Sequence, residues 1–172
     1  MKAWALRRDL ALVVGLSCGG CGASAADHEP FAGAPILRFA PSTGTNAELL
    51  TTFSVKRWVS ATGLPIEIAA DGMRVERPLR VFDLEGNELC GRVDREANAI
   101  LVALAPAVDC PSANVVTLHE MGHALRGEGS HAASGIMVSG DSWTTSDDGI
   151  NDDSLSLVCE LAPCRVMVPE PD

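Results

Sequence analysis

His119-Glu120-Met121-Gly122-His123 narrows what this chain can fold into more than any other segment. Side chains four apart on a helix share a face. A helix here would aim the imidazoles of His119 and His123 at one metal ion. Glu120, one step round, would reach a water on that ion without being a ligand itself. Two imidazole nitrogens and a carboxylate base are what a zinc hydrolase requires. The chain has four His in 172 residues, and three of them fall within positions 119–131. Gly127 and Gly129 stand between the second and the third, where a chain can leave a helix through positive φ and fold back. The competing account is a surface helix that carries the pattern by accident.

Downstream lies Ser134-Gly135-Ile136-Met137. With these residues the chain resembles the metzincin metallopeptidases, especially their matrixin-like and small bacterial secreted members. Those proteins carry H-E-x-x-H-x-x-G-x-x-H followed by a Met-containing turn beneath the metal. His119, Glu120 and His123 match residue by residue, Ala124-Leu125 matches the small-then-apolar pair, and Met137 matches the Met-turn. The family's glycine and third His would fall on Leu125 and Gly129, whereas this chain has Gly127 and His131, a two-residue insertion. His131 is the expected third ligand, with Glu128, Asp141 and the more distant Glu160 as alternatives. The resemblance spans roughly residues 35–165, but only 119–137 are specific. It implies an α+β, zincin-like catalytic domain: a twisted mixed sheet, three main helices, and the active-site helix beneath the sheet.

The chain opens with Lys2, Arg7 and Arg8 ahead of an apolar run over residues 10–16, too short to span a bilayer. Ala23-Ser24-Ala25 then offers a cleavage site, so residues 1–25 read as a secretory signal. Leu16-Ser17-Cys18 partly matches a lipobox, which would instead make Cys18 a lipidated first residue. The expected location is therefore outside the cytoplasm, secreted or lipid-anchored at a bacterial cell envelope, with that anchor the only membrane attachment. Cys90, Cys110, Cys159 and Cys164 remain, an even count that suggests two disulfides among three pairings. Cys90–Cys110 with Cys159–Cys164 is preferred, since each pair is nearest in sequence.

Lys2, Arg7, Arg8 and Asp9 contribute +2 to the net charge of −10, leaving −12 on the rest. So acidic a surface argues against nucleic acid. The residues beyond the signal, about 147 of them, suit one domain, expected to act as a monomer.

In chain order, residues 26–35 read as a tether, and residues 36–39 as a strand ending at Pro41. Residues 47–61 read as a helix with Leu50, Phe53, Val55, Trp58 and Val59 on its apolar face and good caps in the loop before it. Strands are expected at 65–69 and 79–82, a hairpin arm at 89–93, and a continuous apolar strand at 99–104. In the family the chain resembles, the edge strand above the metal takes substrate as an added strand, and the resemblance implies such a strand within 89–104. Pro111-Ser112-Ala113-Asn114 begins the His119 helix, packed through Val115, Val116, Leu118, Met121 and Leu125. The resemblance implies that the region after Met137 walls a substrate pocket, which makes Trp143 a candidate for that wall; the alternative is a core cap. The acidic run 147–153 is either a Ca²⁺ site or, more simply, an acidic helix start capped by Asn151 or a nearby Asp. The last helix shows Ile150, Leu157, Val158 and Leu161, stops at Pro163, and leaves a tail over 166–172.

The resulting expectation is a zinc metalloendopeptidase acting on peptides or proteins. His119, His123 and His131 would hold Zn²⁺, Glu120 would act as general base, and Met137 would pack below. The chain has no tyrosine, so the tyrosine that assists some members of the family is missing. Two other readings stand beside it: a non-catalytic zinc-containing binding protein on the same fold, and a zinc amidase acting on cell-wall or other non-protein amides.

Overall fold

A computed structural model describes residues 37–41, 46–127, 129–139, 149–162 and 164. The expected signal segment and Cys18, the tether, Glu128, Asp141, Trp143, Asp147, Asp148, Pro163 and the tail lie outside them.

The described residues form a mixed α+β domain. In order they are β1 (Leu37–Pro41), α1 (Ala47–Thr62), β2 (Ile66–Ile68), β3 (Met73–Glu76), β4 (Val81–Phe82), β5 (Glu88–Leu89), β6 (Gly91–Asp94), β7 (Ala99–Val102), α2 (Ala113–Arg126), a 3-10 turn (Gly135–Met137) and α3 (Asp152–Cys159). Five strands make one sheet in the order β2-β1-β3-β7-β6. The first four are parallel, and β6 runs antiparallel to β7 at the edge. β4 and β5 form a separate antiparallel ribbon. No helix among the described residues is long and apolar enough to cross a membrane.

One face of the sheet is apolar. Phe39, Val75, Ile100 and Val102 are buried there with Trp58 of α1 and with Val116, Leu118, Met121 and Leu125 of α2 in one core. Each such side chain, fully buried, contributes roughly 1.5–3 kcal/mol. Trp58 ties the two helices together, its indole N–H donating to the Leu118 carbonyl over 2.9 Å. The polar residues of the strands form ion pairs instead, Arg38 with Asp71 at 2.6 Å and Arg74 with Glu76 at 2.8 Å. Pairs this exposed add at most about 1 kcal/mol each, so the helix-covered face holds the domain together.

Several sequence expectations need correction. β3 was not expected at all. Met-Arg-Val-Glu buries only Val75 fully, so in isolation it lacks the continuous apolar run that marks a parallel strand. Only Val81 and Phe82 of the 79–82 stretch are extended, and they pair outside the main sheet. The arm expected at 89–93 is divided between β5 and β6, with Cys90 between them. On α1, Leu50, Val55 and Trp58 are buried, but Phe53 and Val59 are more than a third exposed. Asn46, at the start of α1, has φ 63° and makes no side-chain cap. Leu161 points half into solvent.

Both disulfides have the nearest-neighbour pairing, Cys90–Cys110 and Cys159–Cys164. Two disulfides in so small a domain fit an oxidising compartment.

Candidate metal centre

α2 starts where the sequence indicates. Ser112 is its N-cap, and its Oγ accepts from the Val115 N–H at 3.4 Å. It ends at Gly127, whose φ of 88° turns the chain out while its N–H donates to the His123 carbonyl at 3.0 Å. Between these points His119, Glu120 and His123 are buried. The His119 and His123 Nε2 atoms stand 3.0 Å apart.

Past Gly127 the chain doubles back and brings in His131. The Ala132 N–H donates to the Met137 carbonyl at 2.8 Å, and Ala132 forms a parallel bridge with Val138. His131 is thereby pinned against the end of the 3-10 turn. Its ring centroid lies 5.4 Å from that of His119 and 4.9 Å from that of His123. One ring nitrogen from each of the three lies within 4.8 Å of the others. His131 is exposed, so the group opens to solvent on that side.

These residues suit a metal ion. Nitrogens bound at about 2.0–2.1 Å to one tetrahedral ion stand roughly 3.3 Å apart, close to the spacing of His119 and His123. The tautomer is right as well. The Ile136 carbonyl lies 2.6 Å from His119 Nδ1. A carbonyl can only accept, so Nδ1 carries the proton and Nε2 presents its lone pair to the cluster. Burial, reinforced by the charge His123 would carry, lowers the His119 pKa to about 3 despite that hydrogen bond. Burial also lowers the pKa of His131. Neutral imidazoles are the ligating form. Of the alternatives for third donor, Glu160 is ion-paired with Arg126 at 3.0 Å and mostly exposed.

The carbonyl that orients His119 belongs to the turn ending at Met137, and α3 holds that turn. The Ser134 hydroxyl donates to Asp153 at 2.6 Å and accepts from Asn151 Nδ2 at 2.8 Å. The Ser154 hydroxyl donates to the Ser134 carbonyl at 3.2 Å and accepts from the Met137 N–H at 3.1 Å. Asn151 also caps α3, accepting from the Ser154 N–H at 3.0 Å. The described end of the acidic run is thus engaged as a helix start, as the simpler expectation had it. Arg126, in the last turn of α2, donates to the Leu157 carbonyl and ties α2 to α3 as well.

A cleft of about 590 Å³ runs over the three imidazoles and Glu120, walled by β6 and by residues 108 and 109. Glu120 is buried there, and desolvation raises its pKa to about 8. Sequence reasoning missed Gly91. A β-carbon on it would stand 2.6 Å from Val116 Cγ1 and 3.1 Å from Glu120 Cγ. Only a glycine lets the edge strand pass this close over Val116 of α2, and that brings it alongside Glu120. Its lone place at the start of an apolar-poor strand was the available signal.

No protein-family model matches the chain, and a search of curated proteins finds no match either.

Proposed function

We propose that this chain is a zinc-dependent endopeptidase with a metzincin-like catalytic domain, exported to act on peptide bonds of extracellular proteins. One observation carries the reading: three imidazole nitrogens within 4.8 Å of one another, on a cleft that also holds the buried carboxyl of Glu120. Further support comes from the element order and from the Met137 turn, whose Ile136 carbonyl fixes the His119 tautomer.

His119, His123 and His131 would hold the ion. When bound, zinc supplies Lewis acidity toward a carbonyl and makes a water nucleophilic near neutral pH. Proton traffic falls to Glu120. It takes a proton from the attacking water and returns it to the departing amine. Glu120 lies on the same cleft as the three imidazoles, which is the placement such a proton carrier needs. β6, the sheet edge along the cleft, can receive an extended substrate as an added strand. That keeps a peptide backbone in register beside Glu120.

The test combines metal analysis with cleavage of a mixed set of quenched fluorescent peptides. Purified protein should contain about one zinc per chain and cleave peptides until a chelator is added. Glu120→Gln should keep the metal and lose the cleavage. A folded protein that takes up no zinc, or cleavage that survives Glu120→Gln, would overturn the proposal.

A further inference from the structure

Four charged side chains besides Glu120 line the cleft: Glu88, Arg92, Arg95 and Asp109. Glu88 is committed, accepting from the Ala107 N–H at 2.7 Å and pairing with Arg80 at 3.3 Å. Arg92 is committed too, to Asp94 at 2.7 Å and to the Phe82 carbonyl at 3.0 Å. Arg95 is different. It is exposed, and among the described residues its guanidinium has no hydrogen bond or ion pair. An unneutralised cation on the active cleft stands out in a chain with 13 Lys and Arg against 23 Asp and Glu.

Position along β6 gives this charge a meaning. Gly91 passes over Glu120, with only 3.1 Å between its β-carbon position and Glu120 Cγ. Arg95 follows the other end of the strand, four residues on. At 3.2–3.4 Å per residue that places it roughly 13 Å further along the cleft. Asp109, next to the Cys90–Cys110 disulfide, carries the opposite charge at the Glu120 end. Asp109 near the Gly91 end of β6 and Arg95 past its other end would give an extended peptide a preferred direction along the strand.

We propose that Arg95 is a specificity-determining residue that selects an acidic side chain about three to five residues from the scissile bond, an inference that rests on the peptidase reading above. A peptide added along β6 advances at the strand's own rise, so its side chain nearest Arg95 is that many residues from the one beside Glu120. Charges beyond a Debye length of about 8 Å are screened at physiological salt, so the acidic groups that compete with a peptide for Arg95 are its chain neighbours: Asp94, already paired with Arg92, and the exposed Glu96.

The experiment scans Glu, Gln and Lys through each position of a cleaved quenched peptide. Glu should be favoured over Lys by about three- to tenfold in kcat/KM at one position, on one side of the scissile bond only. The preference should shrink at high salt and invert in Arg95→Glu. A flat scan, or a preference unchanged in Arg95→Glu, would overturn the proposal. If no peptide is cleaved, the peptidase reading fails by itself, and binding then decides the role of Arg95. Fluorescence anisotropy of labelled Glu-rich and Lys-rich peptides on zinc-loaded Glu120→Gln protein should show tighter binding of the acidic peptide, lost when Arg95→Glu is added. Equal binding of both peptides would sink it.

Discussion

Met137 Sδ occupies the space beside Gly122 so closely that a β-carbon on Gly122 would stand 2.2 Å from it, with the Trp58 ring 2.8 Å away on another side. Gly122 lies between the two helical His, so the sulfur is held under the helix that carries them. Gly122→Ala forces a methyl into this contact, where Met137 and Trp58 are both fully buried. It should lower stability by about 1–3 kcal/mol in denaturant unfolding. Adding Met137→Ala should cancel part of that loss, since the two sites share one space. Strictly additive losses would mean that the contact is not what keeps residue 122 small.

His131 and Glu160 separate cleanly by mutation. His131→Ala removes one of three converging donors and should weaken zinc binding by more than about 100-fold in competition with a chelating dye. Glu160→Gln breaks the ion pair between the exposed Glu160 and the largely buried Arg126 and should leave zinc affinity within about threefold, since neither side chain is among the three converging imidazoles. Comparable losses from both would return Glu160 to the ligand set.

Glu120 gives the metal-free protein a pH signature. Its folded pKa, about 8, lies above its ordinary value of 4.5. Between those values the folded carboxyl keeps a proton that the unfolded chain releases. The stability tied to that proton is fully present below 4.5 and is lost as pH rises through 8, at about 1.4 kcal/mol per unit. Gln cannot ionise. Chelator-treated Glu120→Gln should therefore gain on the wild type as pH rises across this window, by up to a few kcal/mol. A stability difference that stays constant with pH would show that Glu120 is not desolvated in the folded chain.

The two disulfides should contribute unequally. Cys90–Cys110 spans 20 positions and Cys159–Cys164 spans 5. Chain entropy assigns about 3 kcal/mol to the longer loop and about 2 kcal/mol to the shorter. The paired Cys→Ser variants, compared by thermal unfolding, should rank in that order. The longer bridge also ties the junction of β5 and β6 to the segment before α2, so its removal should raise KM for peptides more than that of the shorter bridge. The reverse ranking would argue that the cleft wall does not depend on the tether.

Much of this protein was legible along the chain because the deciding interactions are local. Four-residue spacing puts His119 and His123 on one face, Ser112 and Asn151 cap the helices that follow them, Gly127 ends α2, and the nearest cysteines pair. The helix features depend on residues within a turn and Cys159–Cys164 closes a short loop, while Cys90–Cys110 spans the antiparallel pair β6–β7. The third imidazole could be nominated but not fixed by spacing, since His131 is held by a backbone bond from Ala132 to Met137. Other features came only from contacts between distant segments. β3 is a strand because β1 and β7 flank it, Arg95 lies on the cleft because β6 is the sheet edge, and Gly91 and Gly122 are small because Val116 and Met137 press against them. Sequence periodicity reports which way a side chain faces. What it meets there is set when the sheet, the helices and the Met137 turn close around one another.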